Sequence, residues 1–167
     1  METTTLWSRV LADPQLRDLP YKVETEGEKI VLSPHKVKHS LLQGSIMNLI
    51  EEHVVAPGKA TMEFAIETTR GVKVPDVVWL SSERLARLRG TDPEASPFAP
   101  EICVEVLSSA NTQAEMREKR RLYFEQGARE VWICSEKGEM QFYHAGEDTP
   151  AGQSRFIPTF PARVDLE

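Results

Sequence analysis

Two acidic residues of this chain stand where an acid is costly. Glu105 lies in Ile102-Cys-Val-Glu-Val-Leu107, a run that is otherwise apolar, and Asp76 is the lone acid of Val74-Pro-Asp-Val-Val-Trp-Leu80. An ionised carboxylate in an apolar strand is unfavourable unless a cation pairs with it or a metal binds it. Two such acids on adjacent strands can chelate one hard divalent cation through oxygen. Taken singly, each has a plainer reading. Glu105 fits a strand-edge carboxylate paired with a lysine or arginine, and Pro75-Asp76 fits a turn.

A third group joins them. Met116, Lys119, Leu122 and Tyr123 share one helical face, so a lysine lies on the apolar stripe that should face a sheet. Glu115, four residues earlier, offers Lys119 an ordinary helix pair instead. Glu63 is either a further ligand or a solvent-facing acid. His39 opens a long helix as a cap, a core histidine or a phosphate contact. His35 and His39 are four apart, but no third ligand is evident, so zinc is not expected. Arg117, Lys119, Arg120 and Arg121 form the densest basic stretch, which reads as a solvated helix face or as contacts to phosphate. Trp79, Tyr123 and Trp132 read as core aromatics. There is no Walker loop, no Gly-x-Ser-x-Gly elbow and no Gly-x-Gly-x-x-Gly.

The elements that position these residues follow from periodicity and punctuation. Residues 4–12 form a short helix with Leu6, Val10 and Leu11 on one side. Tyr21–Glu24 and Lys29–Leu32 pair as a hairpin around Glu26-Gly27. Ser33-Pro34 reads as an N-cap and first helical position, opening a helix from Pro34 to Val54 that carries Leu42, Ile46, Leu49 and Ile50. Alternation predicts a strand from Thr61 to Glu67, then another from Val72 to Leu80 that Pro75 bends. Ser82–Leu88 is a short helix. Gly90–Pro100 is a long irregular loop, of a kind that often carries function. Ile102–Leu107 is a buried strand. Asn111 caps a helix running to Gln126, with Gly127 as its terminator. Glu130–Cys134 and Met140–His144 are strands around a turn at Lys137-Gly138, and Arg155–Leu166 is a short docking strand. Residues 1–167 therefore read as a single domain of α/β class (an α+β mixed sheet), with a central mixed β-sheet flanked by helices. Its core spans about residues 21–145 and its strand tail residues 146–167.

Composition narrows the setting. The 167 residues are 40% hydrophobic and 28% charged, which is ordinary for a globular protein. No run approaches the length of a membrane span, and the N-terminus lacks a signal-peptide pattern, so a cytoplasmic location is expected. Cys103 and Cys134 sit in apolar runs as small buried hydrophobes. A net charge of −6 disfavours a sequence-independent coat on nucleic acid, yet it leaves room for an acidic metal site with a local basic patch.

The order of these residues resembles a known family. Pro75-Asp76-Val77-Val78 is followed by Glu105-Val-Leu-Ser-Ser-Ala-Asn-Thr112, then by Lys119, Tyr123 and Gly127, and by Glu130-Val131-Trp132. This succession, with Gly27–Pro34 as an early hairpin and with His39, resembles the Uma-two family of restriction endonucleases over roughly residues 21–134. The resemblance implies a restriction-endonuclease-like core of the PD-(D/E)XK type. It implies a Mg²⁺ (or Mn²⁺) site at Asp76 and Glu105 with the backbone carbonyl of Val106, and hydrolysis of DNA phosphodiester bonds. It gives Lys119 a catalytic role, although the superfamily places its lysine where this chain has Leu107. The family pattern also differs at Glu115, where aspartate is usual, and at Ser109, where proline is usual. Glu63 would be an outer ligand, and Arg117, Arg120 and Arg121 would approach phosphates. A homodimer is expected, with Met140–Tyr143 as a candidate apolar edge. Two other readings stay open: a dimeric binding or regulatory protein that keeps the fold without the chemistry, and a carboxylate site for another phosphate-containing substrate.

Overall fold

The computed structural model of the chain describes residues 2–17, 19 and 21–166. Helices α1 (Glu2–Ala12) and α2 (Pro14–Arg17) precede a hairpin of β1 (Tyr21–Glu26) and β2 (Lys29–Pro34). Helix α3 (Val37–His53) leads to β3 (Gly58–Met62) and to a second hairpin, β4 (Ile66–Thr68) with β5 (Gly71–Lys73). Then follow β6 (Val77–Ser81), α4 (Ser82–Leu88), β7 (Ile102–Val106), α5 (Gln113–Glu125), β8 (Glu130–Cys134) and β9 (Met140–His144). The central sheet has the order β3-β6-β7-β8-β9. Only β7 and β8 run parallel, with α5 as their crossover, and the other neighbours are antiparallel. This is the mixed sheet between helices that the sequence predicts. Among the described residues no helix is long and apolar enough to cross a membrane.

The two faces of the sheet are sorted by strand alternation. Val104 and Val106 of β7 pack with Leu42, Ile46 and Ile50 of α3, together with Trp132, Phe142 and Phe160. Cys103 packs on the other face with Met116 and Tyr123 of α5, and with Val78, Leu80 and Val131. Glu105 shares the parity of Cys103, so β7 delivers its carboxylate under α5.

Several boundaries differ from those predicted. The strand expected over Thr61–Glu67 leaves the sheet after Met62, and Glu63 adopts a left-handed φ of 54°. Ala60 and Ile66 have the same parity but pack on opposite faces, which no straight strand allows. The Val72–Leu80 run breaks at Val74-Pro75-Asp76, as a proline there requires. Helix α3 begins at Val37 rather than Pro34, because Ser33 and Pro34 pair with Lys22 and Tyr21 in the first hairpin. Thr112, not Asn111, caps α5: its Oγ1 accepts from Glu115 N at 3.1 Å. Asn111 instead accepts from Ser108 N at 2.8 Å. On α1 the buried side is Leu6, Trp7 and Val10, and Leu11 is exposed.

The loop over Gly90–Pro100 is bonded to the body of the fold. Glu94 O accepts from Trp7 Nε1 at 2.9 Å, and Ser96 exchanges backbone bonds with Ala65 and Glu67. The tail over Arg155–Leu166 docks without forming a strand. The buried Glu130 carboxylate receives Ser154 Oγ at 2.6 Å and Arg155 N at 2.7 Å, and Ile157, Phe160 and Val164 are buried. The tail also takes up the outer edge of β9, since Met140 N donates to Ala162 O and Ala151 N to Phe142 O. Met140–Tyr143 is therefore not a free edge for a second copy.

The first hairpin belongs to no larger sheet. It docks on β5 through side chains: Thr25 Oγ1 accepts from Val72 N at 2.8 Å, and Lys73 Nζ donates to Thr25 O at 2.8 Å. Gly71 makes this approach feasible. Its φ is +116°, and a Cβ there would lie 2.2 Å from Thr25 O. Strain and clash act together, so Gly71→Ala should destabilise the protein by about 1–3 kcal/mol. The urea midpoint measures it, and an unchanged midpoint would show that the hairpin is not held by this contact.

Candidate active site

Glu105 is 3% exposed. Tyr123 OH donates to its Oε2 at 2.5 Å, and Lys119 Nζ lies 3.5 Å from the same oxygen. Oε1 is turned the other way, 3.1 Å from Lys22 Nζ. Asp76 is divided in the same manner. Its Oδ2 accepts from Val106 N at 2.7 Å and lies 3.4 Å from His39 Nε2, while Oδ1 is 3.1 Å from the same Lys22 ammonium. Each acid is thus anchored through one oxygen and directs the other at a shared cation. The break at Pro75 is what brings Asp76 against β7, with Asp76 N donating to Val104 O at 2.9 Å.

The first hairpin contributes two members of the cluster. Lys22 and Glu24 lie two apart on β1, so both project to one side. Glu24 accepts from Lys119 Nζ at 2.9 and 3.0 Å and from Val74 N at 2.7 Å. Three buried carboxylates therefore surround two ammoniums. Burial alone would raise the Asp76 carboxyl, but Lys22, His39 and the Val106 N–H outweigh it and hold it well below the carboxylate range. Glu24 is likewise lowered, burial being outweighed by Lys119, Lys22 and the Val74 N–H. Glu105 goes the other way, pushed up by burial and by the nearby Asp76 and Glu24 against the pull of Lys119 and Lys22. Burial would lower Lys22, yet Glu105, Asp76 and Glu24 hold it well above its ordinary value.

His39 is buried on the first turn of α3. One ring nitrogen faces Val106 O at 3.1 Å, and the other faces His35 Nδ1 at 2.7 Å. His35, His39 and Asp76 offer ligand atoms within 4.8 Å of one another, so Asp76 is the third ligand that spacing did not reveal. However, His39 meets Asp76 with one nitrogen and His35 with the other, so its ring stands between them. The trio suits a hydrogen-bond chain better than a tetrahedral metal set.

Of the residues singled out in the sequence, Asp76, Glu105, Lys119, His39 and the backbone of Val106 come together. Glu63 is exposed and lines a groove beside the cluster with Lys22 and His35. Glu115 is engaged in capping α5 and is not Lys119's partner, which is Glu24. Arg117 and Arg120 line a groove of about 610 Å³ together with Leu107, Met116 and Tyr143, and the Arg120 guanidinium lies 3.9 Å from the centre of the Tyr143 ring. Arg121 pairs with Glu118 and Glu125 on its own helix. Sequence reasoning missed Lys22 and Glu24, which it placed in the first hairpin without a role. It also read Tyr123 as core alone. The ring is buried in the core, and its hydroxyl holds Glu105. The i, i+4 spacing of Lys119 and Tyr123 was the available signal.

The directions of these shifts set a pH dependence. A lowered acid contributes stability that is complete above its unfolded pKa and is lost as pH falls through its folded one; a raised acid contributes the reverse. Asp76 and Glu24 therefore favour the fold at neutral pH, and Glu105 opposes them in part. Metal-free protein should lose stability as pH drops below about 4. The D76N variant should be less stable at pH 7 and show a shallower acid limb in urea titrations at several pH values. An acid limb as steep as the wild type's would remove Asp76 from this account.

The chain matches the Uma2 (Uma-two) family, described as "Putative restriction endonuclease", over residues 11–166. Among solved structures it is similar to the crystal structure of "a putative nuclease belonging to DUF820" from Anabaena variabilis. The two are 17% identical, with 96% of this chain and 94% of that one covered and a TM-score of 0.69. At that identity the likeness speaks for the fold. No curated protein matches. With a match to its model running over nearly the whole chain, on a fold like that of a nuclease, this protein belongs to the Uma2 family of restriction-endonuclease-like proteins.

Proposed function

We propose that the chain is a divalent-cation-dependent endonuclease acting on DNA phosphodiester bonds, working as one restriction-endonuclease-like domain in the cytoplasm. The observation that carries this reading is the convergence of Asp76 Oδ1 and Glu105 Oε1 on one cation, the Lys22 ammonium, at 3.1 Å each. An all-oxygen pair of hard donors fits Mg²⁺ or Mn²⁺, with the Val106 carbonyl as a further oxygen nearby. A bound ion of this kind acidifies a water and polarises the phosphate.

The protein's own groups prepare that site. Tyr123 fixes the rotamer of Glu105, and the Val106 N–H with His39 fixes Asp76. Lys119 bridges Glu24 and Glu105, adding positive charge beside acids that would otherwise repel. It is the stripe lysine assigned a catalytic role on family grounds, and its position next to Glu105 suits stabilising charge that develops on the phosphate. Arg117 and Arg120 flank the neighbouring groove, where they suit the sugar-phosphate backbone of DNA beyond the scissile bond.

A second reading has its own support. Leu107 stands at the usual lysine position, and Lys22 neutralises both acids without any metal, as a nuclease fold retained for binding would require. It expects neither Mn²⁺ binding nor cleavage. On the nuclease reading, Glu105→Gln should reduce Mn²⁺-dependent plasmid nicking by about 100-fold or more. Wild-type protein that binds Mn²⁺ but leaves plasmid and single-stranded DNA intact would rule out DNA as the substrate. Arg117→Ala with Arg120→Ala should weaken DNA binding at all sequences and lower the salt slope by about one per lost phosphate contact. An unchanged slope would place the DNA elsewhere.

A further inference from the structure

The part of the cluster that neither the acids nor α5 explains is Lys22. Its ammonium is equidistant, at 3.1 Å, from Asp76 Oδ1 and Glu105 Oε1, the two oxygens not used for anchoring. Its side chain is 7% exposed, which is unusual for a lysine and requires partners on this scale. A cation and an ammonium cannot share that position. We propose that Lys22 is the resident cation of the site, and that a divalent ion loads only by displacing it. This rests on the metal site proposed above and adds the residue that sets its affinity.

Three observations make the displacement feasible. First, the two acids that Lys22 bridges gain charge from it. Asp76 and Glu105 share the single charge of Lys22, with His39 beside Asp76 and Lys119 3.5 Å from Glu105, whereas a divalent ion in that place would match the two carboxylates. Second, Lys22 lies on a hairpin that shares no ladder with the central sheet, so it can withdraw without unpairing β6 or β7. Third, there is space to receive it. Lys22 lines a groove of about 380 Å³ with Tyr21, His35, Lys36, Gln43 and Glu63, where the Glu63 carboxylate offers the withdrawn ammonium an acid that it would share with Lys36. Lys119 is the counterpart that stays, held by both oxygens of Glu24. Metal-free protein then has a preformed site rather than two buried acids with one oxygen each left uncompensated, and binds metal more weakly for it. The apparent affinity is reduced by the fraction of molecules in which Lys22 is withdrawn.

The test compares wild-type and K22M proteins by Mn²⁺ calorimetry, with K22M/E105Q as control. K22M should bind Mn²⁺ about tenfold or more tightly than wild type, and the double variant should lose that gain. A second measurement uses the wild type alone, should K22M not fold. Acetylation of Lys22 by an amine-reactive ester, read by peptide mass against the exposed Lys29, should accelerate when Mn²⁺ saturates the site. If Mn²⁺ binds but K22M binds no more tightly, or Lys22 acetylates at its metal-free rate, the displacement is wrong and the metal site stands. If neither wild type nor K22M binds Mn²⁺, or K22M does not fold and the wild type binds none, the metal site itself falls and the displacement with it.

Discussion

Burying Glu24, Asp76 and Glu105 around one point is the constraint on which this structure depends. Like charges in a poorly solvated interior repel strongly, and each ionised carboxylate also forfeits its hydration. The cluster persists because every acid has fixed donors. Val74 N serves Glu24, Val106 N serves Asp76, and Tyr123 OH serves Glu105, while two ammoniums supply the countercharge. Stability and site geometry are therefore the same set of contacts. The groups that aim the acids are also the ones that make their burial tolerable.

This requirement explains features that would otherwise look like irregularities. The break at Pro75 frees Val74 N and aims Asp76, which an unbroken strand would not allow. Helix α5 spends a position of its apolar stripe on Lys119, whose long stem packs while its head reaches Glu24 and Glu105. The first hairpin is held by side-chain bonds at Thr25 and Glu24 in place of a ladder. Two of the five charged groups, Lys22 and Glu24, are thus carried by a hairpin that shares no ladder with the central sheet, and the other three by that sheet's strands, the bend before β6 and α5. Buried ion pairs often contribute little net stability, but removing one partner is strongly unfavourable. A cluster of this kind is suited to exchanging one cation for another.

The fold was largely readable from the chain. Period-two alternation and an apolar run identified β7, β8 and β9, while the helical stripe and Gly127 identified α5. Boundaries failed where a local signal had two uses. Ser33-Pro34 reads equally well as a helix start and as a strand end, and only the pairing with Tyr21 and Lys22 decides. Met62, Phe64 and Ile66 alternate as a single strand would, but alternation reports polarity and not direction. The bend at Glu63 was invisible to it.

For the site, sequence alone determined that Asp76 and Glu105 are anomalous. The cost of an acid in an apolar strand is a local property, set by a residue and its neighbours. It also determined that Lys119 faces the sheet, since helix geometry fixes which residues share a face. Tertiary structure alone decided how these groups are paired. Lys119 has Glu115 four residues away, yet it meets Glu24 across the fold because Glu115 is drawn into the cap of its own helix. Lys22 and Glu24 lie on a strand whose pattern suits an exposed surface, and their burial is created only when the hairpin docks. Where a charge ends up depends on which opposite charges reach the same low-dielectric space, and that is a property of the folded chain, not of any segment.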